Sequence, residues 1–150
     1  MPNLNVNREN PGVGVVDGKI FVIGGFDGSE EYLKTIEVFS VKEGKWIDSS
    51  SSSDDDDDHV DSQVPLEMSI ERSNMGGAVI GKKIFVIGGF NDTDGYLSRV
   101  EVLDTETNKW STLPSMKTPR FGMGITVIDD RFIWIFGGFP AADYDPPTSR

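Results

Sequence analysis

Cysteine is missing altogether from this 150-residue chain, and histidine occurs once, as His59. The first absence excludes disulfides, thiolate metal ligands and cysteine nucleophiles, and is compatible with a reducing compartment. The second leaves no ordered imidazole pair for acid–base work, because His59 lies in a Ser/Asp-rich tract. Basic residues are scarce as well: 14 Lys and Arg stand against 25 Asp and Glu, for a formal charge of −11. Nucleic acid is bound through clustered cations, so it is not an expected partner. No apolar run approaches the roughly 18 residues that a bilayer crossing needs. The opening MPNLNVNRENPG has neither the basic start nor the apolar stretch of a secretory signal. A soluble cytoplasmic protein is expected, with no catalytic residues and no cofactor.

What the chain has instead is repetition. IFVIGGF stands at residues 20–26 and again at 84–90, and IWIFGGF follows at 133–139. The first two copies stay in step beyond the seven letters. Tyr32, Leu33, Glu37, Val38 and Trp46 follow Gly24 at the same offsets at which Tyr96, Leu97, Glu101, Val102 and Trp110 follow Gly88. Self-similarity of this kind marks a repeat architecture. The copies begin at Ile20, Ile84 and Ile133, 64 and 49 residues apart, so the first step is longer by 15. DSSSSSDDDDDHVDSQ, residues 48–63, supplies the excess; it is a low-complexity tract without apolar periodicity, expected to be a disordered insert. Five of the negative charges, Asp54 to Asp58, sit there, and without a Gly-bearing loop they lack the geometry of an EF-hand.

Each repeat reads as antiparallel strands joined by turns. VGVVD (13–17), GAVIG (77–81) and MGITVID (123–129) form a small, apolar first strand suited to a crowded inner edge. A second strand ends in the glycine pair: KIFVIGG twice, then FIWIFGG. The third is KTIEVFSV (34–41) or SRVEVLDT (98–105), alternating as a half-covered strand should. The fourth opens on Trp46 or Trp110 and ends near PLEM (65–68) or LPSM (113–116). Glycine in a strand costs about 0.5–1 kcal/mol, so each pair needs a reason. Either the pair allows a close approach, with Trp46 over Gly24 and Gly25 and Trp110 over Gly88 and Gly89, or it serves a positive-φ turn at the strand end. Gly137 and Gly138 are the third such pair.

The glycine pair, the Glu ahead of a β-hairpin, the Trp, and Met-x-x-x-Arg leading into the next small strand together resemble the kelch repeat. GGFDGSEEYLKTIEVFSVKEGKW and WSTLPSMKTPRFGMG are similar to the propellers of kelch-like adaptor proteins, which carry a BTB domain ahead of the propeller. The resemblance implies an all-β fold: a partial kelch β-propeller of about two and a half four-stranded antiparallel blades. Repeat 1 is expected over 8–71 with its insert at 48–63, repeat 2 over 72–119, a truncated repeat 3 over 120–139, and a tail over 140–150. The third-strand aromatic is Phe39 in one repeat but Leu103 in the other, and no BTB region precedes the repeats. Kelch propellers close with about six blades. An arc of two and a half leaves two blade faces bare, and is expected to be a fragment, an incomplete product, or an arc completed by another chain.

Strand alternation puts the loops between second and third strands, and the connections between blades, on one face of the disc. In kelch-like proteins that face takes peptide segments of partners, and its arginines contact acidic groups. The matching residues here are Arg72 after Met68, Arg120 after Met116, and Arg8. Each reads equally as a cap on blade-edge carbonyls or the partner of a nearby carboxylate. Tyr32 and Tyr96 read as contact residues or as packing against the next loop. Ser51, Ser52 and Ser53 each precede an aspartate by three positions, a context favoured by acid-directed kinases. The sequon Asn91-Asp92-Thr93 reads as a plain polar loop. Copper-radical oxidases share the kelch propeller, but their site requires the cysteine and ordered histidines that are missing. The resemblance therefore implies a non-catalytic protein-binding module, the substrate-recognition part of a cullin-RING ubiquitin ligase adaptor acting through a BTB region, with an acidic peptide as one form of partner. An actin-binding cytoskeletal kelch protein and a truncated product without activity are the alternatives.

Overall fold

The computed structural model describes residues 2–47 and 67–140. Ser51, Ser52, Ser53, His59, the rest of the 48–63 tract and the tail beyond residue 140 lie outside these. Among the described residues there is no helix, and the secondary structure is all strand and turn.

The first blade is a meander of β1 (Gly12–Val16), β2 (Lys19–Phe26), β3 (Tyr32–Ser40) and β4 (Lys45–Trp46), paired in that order and antiparallel throughout. The second repeats it with β5 (Gly76–Ile80), β6 (Lys83–Ile87), β9 (Val100–Asp104) and β10 (Lys109–Leu113). Between β6 and β9 the chain makes a small ribbon of β7 (Phe90–Asn91) and β8 (Gly95–Tyr96). The third blade contributes a hairpin of β12 (Gly124–Ile128) and β13 (Phe132–Phe136). A two-residue pairing of β11 (Arg120–Phe121) with β14 (Phe139–Pro140) lies at its end. The four strands of each full blade follow the order the repeat pattern gives, while the β7–β8 ribbon and the β11–β14 pairing are not anticipated by it and β4 is confined to Lys45–Trp46 among the described residues. The register is shared too, with Val22 opposite Glu37 and Val86 opposite Glu101.

The core lies between the sheets. Val16, Phe21, Ile23, Ile36 and Val38 of the first blade close on Met75, Ile84, Val86 and Leu103 of the second, with Met68 from the connection. Sheets can approach this closely because the first strands are small. A Cβ on Gly14 would come within 3.0–3.1 Å of Ile84 and Val79, and one on Gly76 would overlap Ile125 of the third blade.

The glycine pairs have a different cause from the indole packing the sequence suggested as one alternative. Gly24 and Gly25 have φ of 61° and 102°, Gly88 and Gly89 have 61° and 106°, and Gly137 and Gly138 have 63° and 82°. All are left-handed conformations that side chains resist. What comes close is backbone of the next repeat: a Cβ on Gly24 would stand 2.7 Å from the Arg72 carbonyl oxygen and 2.8 Å from the Met68 methyl. On Gly88 it would stand 2.5 Å from the Arg120 carbonyl oxygen and 2.9 Å from the Met116 methyl. Trp46 is elsewhere, opposite Phe39 and packed edge-on against it at 5.2 Å between ring centroids. Phe39 pairs with Ile20, four residues up the strand from Gly24 and so about 13 Å away at ~3.3 Å per residue. Trp110 likewise stands opposite Leu103 and packs against the core. Gly24→Ala is expected to lower stability by about 3 kcal/mol or more, strain and overpacking together. Gly81→Ala, with φ of 58° and nothing within 4 Å of the added carbon, is expected to lose only about 1 kcal/mol, the conformational part. Chemical denaturation of both variants checks the difference.

Candidate functional site

The connection between blades carries the arginine, and its backbone and side chain serve different blades. The Arg72 amide donates to the Leu33 carbonyl at 3.2 Å, and its own carbonyl accepts from the Gly25 amide at 2.9 Å, fixing it to the first blade. Its guanidinium reaches into the second blade. There Nη1 donates to the carbonyls of Gly88 at 3.1 Å and Arg99 at 3.2 Å, and Nη2 donates to the Glu101 carboxylate. Both side chains are sealed from water, Arg72 at 0% and Glu101 at 1% exposure. The second Glu101 oxygen accepts from the Ser69 amide at 3.0 Å. Burial pulls the Arg72 guanidinium below its ordinary pKa, against the attraction of Glu101 and with repulsion from Arg99 adding to the effect.

Arg8 repeats the arrangement in the first blade. Its Nε donates to Glu37 at 3.0 Å, Nη1 to the carbonyls of Gly24 and Thr35 at 2.9 and 3.0 Å, and Nη2 to the Thr35 hydroxyl at 2.8 Å. Glu37 also accepts from the Asn5 amide at 2.7 Å, as Glu101 does from Ser69. Arg8 and Arg72 thus take the internal alternative, capping carbonyls and pairing with a carboxylate, and neither guanidinium is presented to a partner. Arg120 holds the equivalent post in the third blade, with its amide on the Leu97 carbonyl, its carbonyl on the Gly89 amide, and Nη1 on the Gly137 carbonyl at 2.9 Å. It is only half-buried.

Sequence reasoning noticed Glu37 and Glu101 as members of the repeat but gave them no role. The signal was present in their constant spacing: Arg8 precedes Glu37, and Arg72 precedes Glu101, by 29 residues.

On the same face the aromatic residues of the loops form a ladder across the blades. Phe26 contacts Tyr32 at 5.1 Å between centroids, Tyr32 reaches Phe90 of the next blade at 5.8 Å, and Phe90 contacts Tyr96 at 5.6 Å. Tyr96 stacks on Phe121 at 5.0 Å, and Phe121 on Phe139 at 5.2 Å. Tyr32 and Tyr96 therefore pack against the next repeat, the second of the two readings, while keeping part of each ring exposed. Desolvation and the Asp92 carboxylate beside it raise the Tyr32 hydroxyl above its ordinary pKa.

The loops that the ladder holds are acidic. In 27–31 the Asp27 carboxylate accepts from the hydroxyl and amide of Ser29 and from the amide of Glu31, which hold it below the usual carboxylate range. In 91–94 the buried Asn91 does the equivalent work, accepting from the Asp94 amide at 2.6 Å and donating to the Glu71 carbonyl at 2.9 Å. That bond leaves the sequon asparagine inside the loop, turned away from solvent. Glu30, Glu31, Asp92 and Asp94 are exposed.

Adjacent antiparallel four-stranded sheets, each pinned to the next through its inner connection, define a propeller-type repeat protein. This chain belongs to the kelch-repeat family: the Kelch motif matches residues 7–52 and 71–117, more than half of it. Alpha-scruin of Limulus polyphemus is 30% identical over 91% of this chain and 14% of its own length. Kelch repeat and BTB domain-containing protein 1 of Ectromelia virus is 28% identical over 84% of this chain and 20% of its own length. An F-box/kelch-repeat protein of Arabidopsis thaliana is 40% identical over 46% of this chain and 20% of its own length. The chain thus spans a fifth or less of these curated relatives. Kelch repeats are protein-interaction modules.

Arg72→Met is expected to lower stability by about 3–5 kcal/mol, because it strands a buried Glu101 carboxylate. Arg72→Met with Glu101→Leu should regain much of the loss, and Lys34→Met, which breaks only the exposed pair with Glu67, should leave the urea midpoint where it was.

Proposed function

We propose that this chain is the non-catalytic, partner-binding kelch part of a cytoplasmic cullin-RING ubiquitin ligase adaptor. The observation that carries the reading is the loop rim: 26–32 and 90–96, joined through Tyr32 and Phe90, present one rigid edge with exposed carboxylates. Loops on a rigid scaffold are where recognition concentrates. The pairing of kelch repeats with a BTB domain in a relative's name supports the adaptor setting. The expectation of an acidic peptide rested on arginines, two of which are neutralised inside the blades. With Glu30, Glu31, Asp92 and Asp94 outermost, the rim suits a segment bearing Lys or Arg.

The test is affinity purification, with mass spectrometry, of the tagged full-length gene product from its own cells. A cullin should co-purify together with a substrate, and Glu30→Lys with Glu31→Lys should remove the substrate while leaving the cullin. Co-sedimentation with filamentous actin and no cullin would turn the assignment to the cytoskeletal alternative.

A further inference from the structure

The arginine junctions of the first two blades differ at one position. In the first, Arg8 donates from Nε to Glu37 at 3.0 Å and from Nη2 to the Thr35 hydroxyl at 2.8 Å. In the second, Arg99 stands where Thr35 does, two residues ahead of the glutamate. A guanidinium offers no acceptor. Arg72 is arranged accordingly: its Nη2 turns to Glu101, and its Nε is buried without a partner among the described residues. The exchange also adds charge. Arg8, Thr35 and Glu37 sum to zero, whereas Arg72, Arg99 and Glu101 leave one positive charge. Repulsion between the two guanidiniums adds to the effect of burial on Arg72.

Arg99 is half-buried and anchored. Its carbonyl accepts from the Gly88 amide at 2.9 Å, and its Nη1 donates to the Ser69 hydroxyl at 3.0 Å, in the connection between the two blades. Among the described residues it forms no ion pair, and Glu67 of the same connection is taken by Lys34 at 2.9 Å. Nε and Nη2 of Arg99 therefore remain. Only Arg72 Nε is both buried and unpartnered among the described side chains, so this second edge of Arg99 is open to solvent. The junction itself does not require a guanidinium here, since Thr35 fills the equivalent place with an acceptor.

We propose that Arg99 recognises a carboxylate side chain on the partner segment, received side-on by Nε and Nη2 while Ser69 holds the other edge. The inference rests on the reading of the loop face as the partner-binding face, and it narrows the partner's chemistry. The segment carries Lys or Arg for Glu30, Glu31, Asp92 and Asp94, and an Asp or Glu for Arg99. A wholly basic segment would set like charge against the guanidinium, so Arg99 also discriminates among basic partners.

The probe is a random dodecapeptide library displayed on phage and selected on the immobilised full-length gene product, wild type and Arg99→Thr. Lys or Arg should be enriched in both selections, and an Asp or Glu at a fixed distance from them only with the wild type. A peptide so obtained, titrated with anisotropy as readout, should weaken about tenfold or more when its acid becomes the corresponding amide. Against Arg99→Thr the same change should cost less than about twofold. Nonspecific attraction to the acidic rim would favour the amide, so the sign of the change is diagnostic. Arg99→Thr restores the acceptor of the first blade and removes the repulsion on Arg72, so its urea midpoint should equal or exceed that of the wild type. The acid-to-amide comparison leaves the protein untouched and survives if the variant folds poorly. Lys or Arg enrichment with no acidic position, alike for both proteins, would overturn this proposal and leave the loop-face reading standing; no enrichment would overturn both. An acidic preference that persists in Arg99→Thr, or a lowered midpoint showing that the guanidinium braces the junction, would also overturn the proposal.

Discussion

Burying a guanidinium between two sheets is unfavourable by several kcal/mol unless the surrounding lone pairs are aimed at it. Around Arg72 two carbonyls and a carboxylate converge on Nη1 and Nη2, Nε is buried without a partner among the described residues, and the arginine's own peptide groups bond the preceding blade. The stacking of blades depends on this residue, because the same few atoms fix both the approach of the sheets and their register. Hydrophobic contact alone would allow the sheets to slide. The bonds that Arg72 makes to both sheets tie their approach to one set of partners.

The glycine pairs are the other half of that junction. The Arg72 carbonyl approaches Gly24 so closely that a side chain there would have to displace it. Arginine and glycine pair therefore form one device, distributed over two repeats. Outside it lies the aromatic ladder, which ties the loops without burying them, and outside that the carboxylates of the loop tips. Arg8 and Arg72 thus lie inside with their carboxylates, while Glu30, Glu31, Asp92 and Asp94 stand exposed at the rim. The loop rim is acidic although the inner junctions are built on arginine.

The all-β class and the order of the strands in each blade were legible because each repeat states its own alternation and turns, and the second copy checks the first; the short pairings β7–β8 and β11–β14 were not, because two-residue strands carry no alternation to read. The junctions were harder to read. Glu37 and Glu101 sit in strands that look apolar, and a charged residue there suggests a solvent-facing position. Only their co-repetition with the arginines 29 residues upstream hinted that they are turned inward. The tryptophans misled for a related reason. A large ring and a missing side chain invite pairing, yet the pleat carries Trp46 to the far end of β2 from Gly24, and the space is taken by a carbonyl that no side-chain pattern reveals.

The span from each arginine to its glutamate also defines where the chain tolerates rearrangement. Residues 8–37 and 72–101 are each closed by an internal charge pair, and a break within either would separate ions that are costly to leave alone. The 48–63 tract falls between these spans, so added length there strains neither. A gene duplicating such units would keep its crossover points in the same interval, and the module inherited intact would start at an arginine, before the first strand of the visible blade.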